Sequence, residues 1–324
     1  MNEYKNKLSI FPPETRQFVR AAWKAQKHAP WDFLHSYVYA RWPYLYIGVG
    51  GGGHPIARKL IQFFQAFRRL FPEAKPKASP PPSTTQATGT VADIYHGKAM
   101  PLELARKLVM VNEPINLPDL EQVIPYVRAR AIIQQNPDHI LVVKCPCRMS
   151  REEPCLPLDV CLVIGEPFAS FTYQHYPTRA RWITQNEALD ILEREDARGR
   201  VHHAFFSEMM LGRFFAICNC CSCCCTAIKA HRRGTPMLAS SGYVAQIDTR
   251  KCISCNTCEA YCQFGALRLV NETNNVDEDL CMGCGVCVGK CPQGALSLRL
   301  DATKGQPLEI YKLTENSRAV PICE

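Results

Sequence analysis

Two stretches near the end of the chain decide its fold. They are Cys252-Ile-Ser-Cys255-Asn-Thr-Cys258-Glu-Ala-Tyr-Cys262 and, 29 residues later, Cys281-Met-Gly-Cys284-Gly-Val-Cys287-Val-Gly-Lys-Cys291. Both have the spacing C-x2-C-x2-C-x3-C, and Pro292 follows the second. Three cysteines in such a loop ligate one 4Fe–4S cluster, while the fourth reaches a second cluster. We therefore predict two crossed ligand sets: Cys252, Cys255, Cys258 and Cys291, and Cys281, Cys284, Cys287 and Cys262.

The two halves also repeat outside the cysteines. Cys262-Gln-Phe-Gly265-Ala-Leu-Arg-Leu aligns with Cys291-Pro-Gln-Gly294-Ala-Leu-Ser-Leu. Each half has a cysteine loop, a short helix, a glycine turn and a short strand, and residues 243–248 are predicted to form a preceding strand. The alternative is two zinc sites, but the third cysteine in each loop and the internal repeat argue against it.

Residues 242–301 resemble the bacterial-type two-cluster ferredoxin. The resemblance implies a small α+β domain that binds two 4Fe–4S clusters and transfers electrons. Gln263 departs from the pattern of this family, which usually has proline after the fourth cysteine. Residues 95–225 are similar to uncharacterised iron–sulfur proteins of anaerobic bacteria with a Cys-x-Cys-Arg segment ahead of a ferredoxin module, and this second resemblance implies no activity.

The composition indicates a globular protein whose thiols bind metal. The chain has 324 residues, 47% of them hydrophobic and 21% charged, which is enough for two or three domains. It has 19 cysteines, but we recognise no secretory leader and no apolar stretch of membrane-spanning length. We therefore expect a cytoplasmic protein in a reducing compartment, where disulfides are rare.

The excess positive charge lies in the first half of the chain. Residues 1–150 carry 20 Lys and Arg against 10 Asp and Glu, whereas residues 151–324 carry 18 against 20. The basic half balances the negative charge of thiolate-bound clusters, or it forms a docking face for an acidic partner, a membrane or nucleic acid.

We predict an α+β protein with a mostly helical N-terminal part. Its regions are an aromatic and basic segment over 1–71, a Pro-rich linker over 72–90, a cysteine-rich metal-binding domain over 91–241, the dicluster domain over 242–301 and a tail over 302–324.

Apolar periodicity predicts the elements of these regions. Helices are expected over 55–71, 101–110, 117–135 and 182–198, and a buried strand over 139–144. Thr184 is the predicted N-cap of the last helix, with Glu187 completing a capping box. The apolar face of the helix over 55–71 belongs to a core, or it contacts a membrane surface or a partner. The glycines over 48–53 are interpreted as a hinge rather than a dinucleotide loop, because no acidic residue follows at the required spacing.

A further ten cysteines lie in the middle of the chain. They are Cys145, Cys147, Cys155 and Cys161, followed by Cys218, Cys220, Cys221, Cys223, Cys224 and Cys225. The simplest prediction is two more 4Fe–4S clusters, one held by the first four cysteines and one by four of the last six. Alternatively, cysteines of the two segments interleave, zinc occupies one site, or a larger non-cubane cluster forms.

Other residues near these cysteines have two interpretations each. The basic side chains near these cysteines are Lys144, Arg148, Arg151, Arg179 and Arg181. They supply positive charge and N–H donors to anionic clusters, or they are ordinary surface charges. His202 and His203 are cluster ligands, or histidines hydrogen-bonded in a core.

The first functional hypothesis is an electron-transfer protein that relays single electrons through several 4Fe–4S clusters and is not itself the catalyst. Its partner would be a flavoprotein, a dehydrogenase or a hydrogenase-type subunit of an anaerobic redox complex, or a membrane quinone enzyme. Residues 31–71 would provide peripheral contact at the cytoplasmic face of a membrane. The alternatives are a reductase with its substrate site at residues 145–225, and a redox-sensing regulator. The regulator is disfavoured, as is any nucleic-acid partner, because we find no persuasive helix-turn-helix.

Overall fold

The computed structural model describes residues 11–26, 30–51, 95–111, 135–270 and 273–308. These residues form both helices and strands, which confirms the α+β class. Among them, no helix combines the length and the apolar character needed to cross a bilayer. Several predicted features lie outside the described residues: the helix over 55–71, the linker over 72–90, nearly all of the helix over 117–135, and the tail beyond residue 308.

The middle of the chain is built on a large sheet. Its strands are β1 Tyr95–Met100, β2 Gln135–Lys144, β3 Asp159–Glu166, β4 Ala180–Ile183, β5 Val201–Ser207, β6 Arg213–Cys220 and β7 Leu238–Ala239. Within the described residues they pair in the order β4-β2-β3-β6-β5-β1-β7. All of these pairs are antiparallel except β1 with β7, which is parallel. β2 confirms the predicted strand over 139–144, and it leads directly into Cys145.

Both faces of this sheet are covered by apolar cores. Because successive side chains of a strand point to opposite faces, neighbours in sequence enter different cores. In β2, Leu141 belongs to one core and Val142 to the other; in β3, Cys161 belongs to the first and Leu162 to the second. We call the face that carries Leu141 and Cys161 the cysteine face.

Helices pack on both faces of the sheet. They are α1 Pro13–Gln26, α2 Pro30–Arg41, α3 Pro43–Gly50, α4 Leu102–Val109, α5 Pro146–Met149, α6 Phe168–His175, α7 Gln185–Ala197 and α8 Thr226–Arg232. Apolar residues of α1, α2 and α6 cover the cysteine face, whereas those of α4 and α7 cover the opposite face. The predicted hinge begins inside α3, which contains Gly48 and Gly50.

The N-cap of the helix predicted over 182–198 is confirmed, but the start of that helix is corrected. The Thr184 hydroxyl accepts a hydrogen bond of 3.2 Å from the backbone N–H of Glu187, so Thr184 is the N-cap of α7. The helix begins at Gln185 rather than at residue 182, because Trp182 and Ile183 belong to strand β4. The helix predicted over 101–110 is α4.

The N-terminal helices share a core with the middle domain. The Phe18 ring of α1 lies 4.4 Å from the Phe171 ring of α6, between centroids. The Tyr44 hydroxyl of α3 donates a hydrogen bond of 2.9 Å to the carbonyl of Lys144, immediately before the first middle cysteine. The described part of the N-terminal region is therefore joined to the cysteine-bearing sheet.

The C-terminal segment is a smaller α+β unit. It contains β8 Tyr243–Ile247, α9 Thr257–Tyr261, β9 Leu267–Val270, β10 Thr273–Val276, α10 Val286–Lys290 and β11 Leu296–Leu300. β8 pairs with β11, and β9 with β10, both antiparallel. The strand predicted over 243–248 and the repeated order of loop, helix, turn and strand are confirmed.

Candidate metal centres

The two cysteine loops of the C-terminal unit have matching backbones. Ser254 and Gly283 have left-handed φ angles of 52° and 60°, and two residues later Asn256 and Gly285 have φ angles of 63° and 78°. A side chain at position 283 would collide with the carbonyl of Tyr243, so this position requires glycine. The internal repeat therefore extends from the sequence to the conformation of the loops.

One crossed set of thiols surrounds a small cavity. The cavity has a volume of about 20 Å³, and Cys252, Cys255 and Cys258 of the first loop border it together with Cys291 of the second half. The structure thus brings together three cysteines of one loop and the fourth of the other, which is the arrangement that the spacing implies.

The other four thiols form the complementary set. Burial, together with the nearby thiols of Cys262 and Cys281, raises the pKa of Cys284 to about 12. Burial also raises the pKa of Cys287, with contributions from Cys284, Cys262 and Cys281. This set is the more buried of the two, because Cys255 of the first set is exposed whereas Cys281 and Cys287 are buried.

Backbone N–H groups point at the sulfurs of both sets. At matching positions, Ala266 N donates to Cys262 Sγ and Ala295 N donates to Cys291 Sγ, both over 3.3 Å. A further N–H, that of Ala245, lies 3.4 Å from a third sulfur, Cys281 Sγ. Such donors stabilise thiolates and tune cluster potentials, so the residues present fit anionic iron–sulfur clusters.

Comparison with known proteins agrees with this geometry. Residues 245–298 match the family model of the 4Fe-4S dicluster domain. This segment is a ferredoxin-type domain. The match covers 54 of the 324 residues. A search of curated proteins found no match to the chain, and the resemblance of residues 95–225 to other iron–sulfur proteins has no support from these comparisons.

Six thiols of the middle domain form a connected group at the edge of the cysteine face, which we call the six-thiol group. Its members are Cys145, Cys147, Cys161, Cys218, Cys220 and Cys225. Strand register explains part of it. Leu162 pairs with Ile217 across β3 and β6, which places Cys161 opposite Cys218. Cys220 follows on the same face two residues later.

The remaining members come from the ends of neighbouring elements. Cys145 directly follows β2 and is the N-cap of α5, and Cys225 is the N-cap of α8. The Cys225 and Cys220 sulfurs are 3.4 Å apart. Hydrogen-bonding contacts of Cys147 with Cys145 and with Cys225 connect the two helix starts.

The close approach of these thiols shifts their pKa values in opposite directions. Contact with the Cys147 thiol, then with Cys161, raises the pKa of Cys145 well above its usual range. Contact with Cys147, then with Cys220, does the same for Cys225. The pKa of Cys147 falls, because Cys145 and Cys225 donate to it. Metal ligation requires thiolates, and a bound cation supplies the charge that lets neighbouring thiols ionise together.

The other four middle cysteines form a tighter group, which we call the four-thiol group: Cys155, Cys221, Cys223 and Cys224. All four sulfurs lie within 4.8 Å of one another. The Cys155–Cys223 sulfur distance is 2.8 Å and the Cys223–Cys224 distance is 3.8 Å. The division that sequence order suggested is therefore not the one that the structure forms, because Cys155 joins the later segment. The arrangement is the interleaved alternative.

A large apolar cavity adjoins the six-thiol group. Its volume is about 610 Å³, within the range typical of ligand sites. Helices α2 and α3 line one side with apolar residues such as Tyr39, Leu45 and Ile47, and cysteines of the middle domain line the other. No local sequence pattern signals this cavity, because it forms between distant segments.

Arg148 connects three cysteine-bearing segments. It is 1% exposed, and its Nη2 donates to Glu195 Oε2 over 2.7 Å and to the carbonyl of Asn219, between Cys218 and Cys220, over 3.1 Å. Its Nη1 donates to the carbonyl of Pro157, two residues after Cys155. Burial would lower the pKa of Arg148, but the Glu195 carboxylate more than offsets this.

The other basic residues have separate roles. Arg151 Nη2 donates to the carbonyl of Cys224 over 3.1 Å, and the Arg179 guanidinium lies 4.6 Å from the centroid of the Tyr44 ring. Arg181 forms an exposed ion pair of 2.5 Å with Glu187. Arg148 and Arg151 therefore donate to the backbone of the cysteine segments, and Arg181 is a surface charge.

The two histidines differ. His202 Nδ1 lies 2.6 Å from Asn219 Oδ1, which fits a histidine hydrogen-bonded in a core. His203 pairs with Cys218 across β5 and β6 and is fully buried. Neither of its ring nitrogens has a hydrogen-bond partner in the described part of the chain. Burial lowers its pKa to about 3, so the ring is neutral.

Gln263 links the ferredoxin-type domain to the middle cysteines. Its Oε1 accepts a hydrogen bond of 2.8 Å from the backbone N–H of Ser222, and its Nε2 donates over 2.9 Å to the carbonyl of Gly199. Its own carbonyl accepts from Arg232. Proline has no side-chain donor or acceptor, so the departure from the family pattern creates this link. Sequence reasoning noticed the substitution but missed its role.

Proposed function

We propose that this protein is an electron-transfer protein in which the six-thiol group holds a 4Fe–4S cluster that works with the two clusters of the ferredoxin-type domain. Bound clusters of this type supply one-electron redox chemistry. Four of the six thiols are enough to ligate one cluster. The observation that carries the proposal is the Gln263 link, which fixes the loop after Cys262 against the segment that contains Cys221 and Cys223.

Packing supports a continuous route between the two regions. Cys262 and Cys284 of the ferredoxin-type domain pack against the same core that contains Cys220 and Cys225 of the six-thiol group. The Phe264 ring lies 6.3 Å from the His203 ring, between centroids, inside this boundary. The chain therefore provides a protein-filled interface rather than a solvent gap between the two regions.

Exposure favours the first cysteine loop as the end that meets a redox partner. Cys255 is exposed, and Ile253 beside it is 61% exposed. We propose that a cytoplasmic flavoprotein, dehydrogenase or hydrogenase-type subunit docks at this loop, whereas the set containing Cys262 faces the middle domain. Peripheral membrane contact through residues 31–71 remains a separate proposal; in its described part, Trp31 is 80% exposed.

The test is low-temperature electron paramagnetic resonance during stepwise anaerobic reduction of the full chain. We expect signals from reduced clusters in both regions and a magnetic interaction between them. The interaction should weaken in Gln263→Pro, which removes the link. Gln246→Ala changes an exposed glutamine on β8 of the same domain and should leave the interaction intact. Signals from wild-type protein that add as independent centres would contradict the proposal.

A reductase is the second candidate, because of one specific observation. The six-thiol group has two thiols more than one 4Fe–4S cluster needs, and it borders the apolar cavity of about 610 Å³. A substrate in this cavity would contact the cluster site directly. This candidate predicts that a small apolar electron acceptor changes the spectrum of the middle cluster and leaves those of the ferredoxin-type domain unchanged.

A further inference from the structure

We propose that the four-thiol group holds a single zinc ion rather than an iron–sulfur cluster. The site shares no cysteine with the six-thiol group and does not depend on the electron-transfer role. It consists of one thiol from the loop after α5, that of Cys155, and three from the turn between β6 and α8.

The spacing of the sulfurs carries the proposal. Zinc binds thiolates at about 2.3 Å in tetrahedral geometry, which places the sulfurs about 3.8 Å apart. All four sulfurs of this group lie within 4.8 Å of one another, and the Cys223–Cys224 distance is 3.8 Å. The Cys155 and Cys223 sulfurs, 2.8 Å apart, would move about 1 Å farther apart on binding zinc. The four thiolates of a 4Fe–4S cluster bind four different irons, so they must lie farther apart than ligands of one ion.

The ferredoxin-type domain provides an internal comparison. All eight of its cysteines belong to the described residues, yet no three of them have sulfurs within 4.8 Å of one another. The same holds for the six-thiol group, although its neighbouring sulfurs are close in pairs. The four-thiol group is therefore compact in a way that the cluster-type sites of this chain are not.

Neighbouring contacts show what the ion would stabilise. The Cys225 N–H donates to the carbonyl of Cys221 over 3.0 Å, which closes the turn that presents three of the thiols. Arg151 binds the carbonyl of Cys224 from the opposite loop, and its positive charge offsets the net negative charge of zinc with four thiolates. The ion would cross-link the two loops next to Ser222, whose N–H binds Gln263.

The test is to quantify zinc, iron and acid-labile sulfide in full-length protein purified without oxygen. We expect about one zinc per chain, by the one-ion stoichiometry of a structural site. Cys223→Ser should lose this zinc and keep its iron and sulfide. Cys220→Ser, the matched control in the six-thiol group, should keep its zinc.

Two results would overturn the zinc site. One is wild-type protein without zinc; the other is a Cys223→Ser variant that loses about four iron and four sulfide, the content of one cluster. X-ray absorption at the zinc edge of wild-type protein keeps the proposal testable if the variant does not fold. Four sulfur ligands at about 2.3 Å are expected, and nitrogen or oxygen ligands would contradict the site. The electron-transfer proposal fails on a different result, the lack of iron beyond the ferredoxin-type domain.

Discussion

Replacing Arg148 by methionine should destabilise the protein and empty the middle cluster site. Arg148 and Glu195 are each 1% exposed, and 2.7 Å separates their charged atoms. Removing one partner of a buried ion pair costs about 3–5 kcal/mol, because the other charge stays buried. Arg198 still contacts Glu195 at 2.9 Å, so we expect the lower end of this range. The carbonyls of Pro157 and Asn219 also lose their donor.

A double-mutant cycle isolates the ion pair itself. Glu195→Gln should be milder than Arg148→Met, because Arg148 keeps its hydrogen bonds to the carbonyls of Pro157 and Asn219. The double variant should be more stable than the sum of the two single effects implies, since no lone charge remains. Arg194→Met is the matched control on the same helix: its ion pair with Asp190 is exposed and is worth about 0.3–0.5 kcal/mol.

The assay is anaerobic denaturant unfolding, combined with iron and sulfide content. For Arg148→Met we expect a loss of about 3 kcal/mol and retention of only the iron of the ferredoxin-type domain. This separates a local effect on the cysteine segments from global misfolding. If Arg148→Met matched Arg194→Met in stability and kept all of its iron, Arg148 would not hold the cysteine segments together.

Three further predictions concern other regions. Burial lowers the pKa of Lys98 to about 8, so between about pH 8 and 10.4 the unfolded chain holds a proton that the folded chain lacks. The free energy of unfolding should therefore rise with pH in this range by up to about 3 kcal/mol. Urea unfolding of Lys98→Met should not show this rise. Cys284→Ser should remove one cluster of the ferredoxin-type domain and destabilise the domain, whereas Cys323→Ser should keep all of its iron; an unchanged reduced-state spectrum for the first variant would refute the ligand assignment. Gln263→Pro should speed amide hydrogen exchange at Ser222, because that N–H loses its acceptor, and unchanged exchange would exclude the link.

Local spacing accounts for the parts of the structure that the sequence predicted correctly. The two cysteine loops and the N-cap at Thr184 depend on residues within a few positions of one another. The strand before Cys145 was also recognisable, because a short apolar run rich in β-branched residues is typical of a strand buried on both faces. These features need no knowledge of how distant segments pack.

The pairing of the middle cysteines depends on distant contacts and was not predictable in the same way. Cys161 meets Cys218 because β3 and β6 are neighbours in a particular register, and a shift of one residue would turn one of them to the other face. Cys155 groups with Cys221, Cys223 and Cys224 rather than with the cysteines nearest to it in sequence, because its loop lies against the turn after β6. The sequence shows that Gln263 replaces the proline usual in two-cluster ferredoxins, but only the packing of the chain shows that it hydrogen-bonds to Ser222 and Gly199.

The central claim is that the middle domain holds an iron–sulfur cluster in addition to the two of the ferredoxin-type domain. Iron and acid-labile sulfide per chain, measured on anaerobically purified full-length protein, test it most directly. The account predicts about 12 of each, by four per cluster, accompanied by one zinc. About 8 of each would confine the clusters to the ferredoxin-type domain and contradict the claim.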